Sequence, residues 1–261
     1  MNSVNKTLYI PLYGKAYVSR KGLFLKDPYA EKIWEREAFP LGKKSSSKWL
    51  AYYMGIRSAV FDDWVRMKMA EYPDAVVLHI GCGMDSRVLR VGCGSHTWYD
   101  LDFSQVLEER RRYFSETEQY RMIPCDLREK DWLCSISDAS SAIVVMEGVS
   151  MYLTAEEMRS LLSALKGKFS HYVLLADFYS VFAAKMSKYK NPVKEVGVSA
   201  VYGMDDAKSL EQDGIAVVCQ HDMTPARYIN QLKGMEKWLL GKLYAGKTAR
   251  GLYRLYEYKR G

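Results

Sequence analysis

The sequence predicts an α/β protein whose sheet is mostly parallel and closes with an antiparallel C-terminal pair, preceded by a helical N-terminal segment. Three observations carry that expectation. From residue 75 onward, short apolar runs alternate with segments of helical periodicity, the pattern of a parallel sheet buried on both faces. The first run, Val76-Val77-Leu78-His79-Ile80, ends in the turn Gly81-Cys82-Gly83. The last stretch, residues 252–259 (LYRLYEYK), alternates strictly, as a half-exposed or edge strand does.

Taken in order, residues 1–74 show no strand pattern and hold aromatic and basic stretches, including Lys43-Lys44 and Lys48 around a run of serines. They are expected to form a helical lid packed on a core of residues 75–261. After the first strand and its turn, residues 85–91 suit a short helix, and residues 96–102 (HTWYDLD) alternate as a second strand. Residues 103–114 read as a helix with a charged face, residues 122–127 as a third strand, and the almost wholly apolar residues 142–148 as a fourth. The helix over residues 154–169 opens on Thr154-Ala155-Glu156-Glu157, the capping-box pattern in which threonine and glutamate satisfy each other's backbone N–H groups. A fifth strand covers residues 172–178. Beyond it come a polar connector over residues 185–197, a strand over residues 215–220, a helix over residues 225–244 and the alternating final strand.

The chain has 261 residues, 48% of them hydrophobic and 26% charged, enough to bury a sizeable core. Its apolar runs fall far short of the roughly 18 residues of a membrane-spanning helix. Residues 1–11 lack the apolar stretch of about 7–15 residues that a secretory signal needs, so a cytoplasmic location is expected. Cys82, Cys93, Cys125, Cys134 and Cys219 form no Cys-x-x-Cys pair and the histidines are scattered, so no metal site is expected. The net charge of +7 is uneven, with 11 Lys/Arg against 4 Asp/Glu in residues 1–57 and 9 against 2 in residues 225–261, around an acidic centre. Basic ends can steer an acidic substrate toward an opening, or they can be solvated faces. For the C-terminal end, Lys233, Lys237 and Gly241 follow helical spacing beside Trp238 and Leu239, which favours the solvated face.

A glycine turn at the carboxyl end of a first strand lets a ligand approach the backbone, while the next helix points its amino end at that ligand. Here the turn lacks the third glycine of the dinucleotide fingerprint, and Asp85 would meet a pyrophosphate with like charge, so a dinucleotide is disfavoured. Asp102, ending the second strand, sits where a carboxylate accepts hydrogen bonds from both hydroxyls of a ribose. An adenosyl cofactor without phosphates fits better. Asp126-Leu127, ending the third strand, offers a carboxylate beside a backbone N–H, which matches the amino donor and ring-nitrogen acceptor of adenine; the alternative for Asp126 is a helix N-cap. Glu147 follows an apolar run and precedes Gly148. A lone buried carboxylate is costly, and the cationic amino group or sulfonium of S-adenosylmethionine would supply its partner.

Residues 77–87 (VLHIGCGMDSR), 98–102 (WYDLD), 125–128 (CDLR) and 147–153 (EGVSMYL) together resemble the leucine carboxyl methyltransferase family, which includes polyketide O-methyltransferases of the tetracenomycin type. The resemblance runs over about residues 12–165. It implies a Rossmann-like class I methyltransferase sheet with an N-terminal helical lid, and S-adenosyl-L-methionine as cofactor. Carried across, it sets the Gly81 and Gly83 turn against the cofactor, Asp102 on the ribose, Asp126 and Leu127 on the adenine, and Glu147 beside the methionine portion. Arg57, in residues 52–58 (YYMGIRS), resembles the lid arginine that grips the methionine carboxylate, a bidentate task that suits a guanidinium. Lys15, in residues 11–16 (PLYGKA), resembles a second lid cation, and Arg128 and Tyr152 match positions that face the substrate in the carboxyl-methylating members. Ser86 stands where threonine is usual. Residues 185–202 match nothing in the family and are where substrate choice is expected to lie.

A carboxylate acceptor is ionised at neutral pH and needs no general base, whereas a phenol, with a pKa near 10, would benefit from one. The candidate bases are poor: His79 lies inside the first strand and reads as a hydrogen-bonded core histidine, and His96, His171 and His221 fall at element starts or ends; Cys82 reads as a small buried side chain rather than a nucleophile. The expected function is therefore methyl-ester formation on a carboxylate of a small molecule or peptide. Two alternatives stand beside it. A nucleic-acid methyltransferase suits the basic charge, but Glu147-Gly148-Val149-Ser150 stands where that class carries an Asn/Asp/Ser-Pro-Pro-aromatic tetrapeptide. A catalytically silent cofactor-binding protein is opposed by the intact Gly81, Asp102, Asp126 and Glu147.

Overall fold

The computed structural model describes residues 7–190 and 201–261. Among the described residues three helices come first: α1 (Tyr9–Arg20), α2 (Pro28–Glu37) and α3 (Lys48–Glu71). Asp27 caps α2 by accepting the Ala30 N–H, and Pro28 follows at the first helical position, where its missing N–H costs nothing. Helix α3 runs for 24 residues and buries Tyr52, Ile56, Phe61 and Val65 completely against its neighbours and the sheet.

The core then alternates strand and helix: β1 (Val76–Ile80), α4 (Arg87–Val91), β2 (Trp98–Asp102), α5 (Ser104–Arg110), β3 (Tyr120–Pro124), β4 (Ser141–Met146), α6 (Ala155–Lys168) and β5 (His171–Tyr179). After them come α7 (Val181–Lys190), β6 (Ile215–His221), α8 (Ala226–Ile229), α9 (Gly234–Tyr244), α10 (Lys247–Leu252) and β7 (Tyr253–Arg260). The seven strands form one sheet in the order β3-β2-β1-β4-β5-β7-β6. The first five are parallel, and β7 runs antiparallel to both β5 and β6. Successive residues of the central strands point to opposite faces. Val77, Ile143 and Leu175 join the core under α1 and α3, while Leu78, Val144 and Leu174 join Leu161 and Leu165 of α6. The capping box on α6 is present in both halves.

The chain leaves β1 toward β2 and β3 and returns to the other side of β1 as β4, so the order reverses between β1 and β4. Such a switch point opens a crevice outside the carboxyl ends of the strands. The register sharpens this. Ile80 pairs with both Leu101 and Met146, so Gly81, Asp102 and Glu147 leave the sheet at one level.

Several expected elements differ. The final strand is not an edge: β7 lies between β5 and β6 and is buried at positions 255–258, because its tyrosines fill the core and Glu257 is paired, which leaves β6 as the edge on that side among the described residues. The helix expected over residues 225–244 is two, α8 and α9, separated where Gly234 adopts a left-handed φ of 51°. Strand β3 ends at Pro124, which places Asp126 and Leu127 in the turn beyond it. Helix α5 stops at Arg110, and α7 occupies the start of the expected polar connector, the rest of which lies outside the described residues. No helix among the described residues is long and apolar enough to cross a membrane.

Candidate functional site

A cavity of about 1170 Å³ opens over the switch point, and Lys15, Arg57, Gly81, Gly83, Asp102, Asp126, Leu127, Arg128, Glu147 and Tyr152 all line it. The fold thus brings every site residue expected from the sequence to one place. At the strand ends Gly81 and Gly83 adopt φ of 66° and 51°. A Cβ on Gly81 would stand 2.2 Å from Val149 Cγ2, so the turn accepts no side chain and presents bare backbone to the cavity. The Asp102 carboxylate accepts the Gly83 and Phe103 N–H groups at 2.8 Å each. Each oxygen keeps a lone pair for a further donor. Burial pushes this carboxyl up to about 6 in spite of those two backbone donors.

Glu147 and Arg57 face each other across the cavity floor. Arg57, on α3, donates from Nε to Glu147 Oε1 at 2.9 Å and from NH1 to Asp177 Oδ2 at 3.2 Å and to the Tyr253 hydroxyl at 2.9 Å. Arg87 takes the other Glu147 oxygen. Burial alone would raise the Glu147 carboxyl, but the two guanidiniums outweigh it and hold the group below the usual carboxylate range. Lys15, on α1, lies 3.3 Å from Asp85 Oδ2, and Arg90 binds the other Asp85 oxygen at 2.7 Å. Arg90 also reaches Asp27, the cap of α2, and Asp62 of α3, each at 2.7 Å. A buried ion-pair network therefore pins α1, α2 and α3 to the turn after β1.

Asp126 sits in the turn after β3 and accepts the Arg128 N–H at 3.0 Å rather than capping a helix. Arg128 is half exposed and pairs with Glu157 at 2.8 Å and with Asp126 at 3.5 Å. The Tyr152 hydroxyl engages Thr7, and burial raises its phenol. His79 is a core residue: Nδ1 lies 3.0 Å from Asp100 and Nε2 3.1 Å from Arg87, and burial lowers its pKa. Cys82 is buried, and burial raises its thiol.

Sequence reasoning missed Asp177. It is fully buried in β5, accepts the Gly148 N–H at 2.7 Å, and holds Arg57 and Tyr253. Its signal was the one that marked Glu147, a lone carboxylate inside an apolar strand. The tyrosines 53, 179, 244 and 253, which build an aromatic wall of the cavity, carried no such signal.

Fold order, glycine turn and strand-end carboxylates define a class I S-adenosylmethionine-dependent methyltransferase. The family model for leucine carboxyl methyltransferase matches residues 10–166, and the chain belongs to that family. It is 26% identical to the tetracenomycin polyketide synthesis O-methyltransferase TcmP of Streptomyces glaucescens over 262 residues, 99% of this chain and 97% of the relative. It is 25% identical to the S-adenosyl-L-methionine-dependent methyltransferase dpfgK of Gibberella zeae over 234 residues, 81% of this chain and 78% of the relative. In fold it is similar to magnesium protoporphyrin IX methyltransferase of Synechocystis PCC 6803, solved with S-adenosylhomocysteine bound, at a TM-score of 0.51 and 14% identity over 88% of this chain and 94% of that one. The protein is an O-methyltransferase, and S-adenosylmethionine is its cofactor.

Proposed function

We propose that the enzyme methylates a carboxylate of a small, largely apolar molecule to give a methyl ester. In this reading Gly81 and Gly83 lie against the cofactor, Asp102 accepts its ribose hydroxyls, and Asp126 and the Leu127 N–H meet its adenine. Arg57 and Lys15 face the methionine carboxylate, and Glu147 the amino group. The residues present fit such a group: the glycine turn has no room for a side chain, and Asp102 has lone pairs to spare. Residues 1–74 act as a lid that contributes Lys15 and Arg57, leaving the aromatic wall, Arg128 and Tyr152 for the acceptor.

The observation that carries the carboxylate assignment is the chemistry of the cavity wall. Its described lining includes the cations Lys43, Lys44 and Arg128, and its one histidine, His79, has both ring nitrogens engaged. Cations favour an anionic acceptor, and an acceptor already ionised at neutral pH has no proton for a base to remove. S-adenosylmethionine, when bound, supplies an electrophilic methyl group and its own leaving group. The protein's task is then to align the acceptor oxygen and exclude water from it. The relative named for tetracenomycin polyketide synthesis supports a small-molecule acceptor.

The test is methyl transfer from labelled S-adenosylmethionine to matched pairs of aromatic acids and phenols on the same ring systems. Label in the acids, released as methanol by base, is expected. Label in the phenols, stable to base, would overturn the assignment.

A further inference from the structure

The spacing of cysteines and histidines gave no reason to expect a metal, yet the sheet gathers three donors at its β6 edge. Cys219 and His221 are two apart on β6 and so share a face, and the antiparallel register sets Cys219 opposite Glu257 of β7. Cys219 Sγ lies 3.3 Å from His221 Nε2, and that same nitrogen lies 2.6 Å from Glu257 Oε2. One donor atom from each residue falls within 4.8 Å of the others.

Both neighbours address one nitrogen. A relay would use the two ring nitrogens separately, one toward the thiol and one toward the carboxylate. Here thiol, imidazole and carboxylate converge on a point instead. In a tetrahedral zinc site, bond lengths of about 2.3 Å to sulfur and about 2.0–2.1 Å to nitrogen or oxygen set S···N at roughly 3.6 Å and N···O at roughly 3.3 Å. The two separations to the imidazole nitrogen are shorter than these by roughly 0.3 and 0.7 Å, so the imidazole must swing outward to admit the ion.

The surroundings also suit a metal. Glu257 is buried and its oxygens are oriented by Lys68 Nζ and by the Trp64 N–H, each at 2.9 Å, while Lys68 is itself paired with Glu71 at 2.9 Å. Partners of this kind fix a ligating carboxylate. Cys219 is exposed and His221 half-buried, so an ion has a path in from solvent. None of the three lines the methyl-transfer cavity.

We propose that Cys219, His221 and Glu257 bind one divalent ion of the zinc class, with a water molecule as fourth ligand, and so clasp the edge strand β6 to β7. On binding, the Cys219 thiol releases its proton to solvent, the imidazole carries its proton on Nδ1, and Glu257 exchanges its hydrogen bond to His221 for the ion; no electron is transferred.

The experiment uses the full chain, stripped with a chelator and titrated with cobalt(II). One equivalent is expected to produce a thiolate-to-cobalt charge-transfer band together with the visible bands of a tetrahedral ion, and zinc should displace it. Cys219→Ser should abolish the charge-transfer band, and His221→Ala should weaken binding by at least about ten-fold. Cys134→Ser, which removes the other exposed thiol, should leave both unchanged. S-adenosylhomocysteine affinity equal to wild type certifies that the variants are folded. A charge-transfer band that survives Cys219→Ser, or cobalt bound no more tightly by the wild type than by a Cys219→Ser/His221→Ala double variant, would overturn the proposal.

Discussion

Asp102 should make cofactor affinity depend on pH in a range where few other groups titrate. Burial lifts its carboxyl to about 6 in the ligand-free chain, while each oxygen already accepts one backbone N–H. Only the ionised form can also accept two ribose hydroxyls, so binding holds the proton off and the bound carboxyl sits lower. The free protein must therefore release a proton to bind whenever the pH is below about 6. At pH 5 about one molecule in eleven is ionised, and affinity should fall about ten-fold from its neutral value, or about 1.4 kcal/mol. Stability runs the other way. A folded-state pKa above the unfolded value of about 3.9 favours the folded state at low pH, and that contribution is lost as the pH rises through about 6. The assay is calorimetric titration with S-adenosylhomocysteine between pH 5 and 8 on wild type and Asp102→Ala. The variant should bind more weakly at neutral pH by about 1.5–3 kcal/mol, the range for a hydrogen bond to a charged group, and its profile should be flat. A flat wild-type profile, or the same slope in the variant, would refute the ribose role.

Three further substitutions probe the remaining parts of the cavity. Arg57→Ala strips Asp177 of its cation and Glu147 of one of two, which should cost about 3–5 kcal/mol in urea denaturation; an unmoved midpoint would show that the buried pairs are energetically independent of Arg57. Gly81→Ala forces a Cβ to 2.2 Å from Val149 Cγ2 at a φ of 66°, so S-adenosylhomocysteine binding should be lost. Adding Val149→Ala should restore only part of it, since the backbone strain remains, and full recovery would mean that crowding was the whole cost. Arg128→Ala removes a side chain that is 50% exposed, so stability should change by less than about 0.5 kcal/mol. The KM for an acid acceptor should nevertheless rise several-fold with cofactor affinity unchanged; an unchanged KM would remove Arg128 from the substrate side.

The parallel half of the sheet was legible because burial on both faces writes itself as continuous apolar runs, and the strand-end residues Gly81, Asp102 and Glu147 could be placed by their position after those runs. Strand β7 was misplaced for a physical reason. The alternation of Tyr256, Glu257, Tyr258 and Lys259 reads as one buried and one solvated face, but Glu257 enters the interior because Trp64 and Lys68, nearly 200 positions earlier in the chain, meet it there. The direct pairing of Arg57 with Glu147, the place of Asp177 between Arg57 and Tyr253, and the meeting of Cys219 and His221 with Glu257 are likewise properties of strand order and register. No local pattern announces them. The break before α9 turns on a single left-handed glycine, Gly234, in a stretch whose apolar periodicity continues on both sides.

The most direct measurement is a crystal structure of the chain with S-adenosylhomocysteine. Ribose hydroxyls within about 3 Å of the Asp102 oxygens are expected, with adenine against Asp126 and Leu127 and the homocysteine end against the Arg57–Glu147 pair. A nucleoside lying elsewhere in the cavity, with Asp102 still bonded only to Gly83 and Phe103, would contradict the assignment.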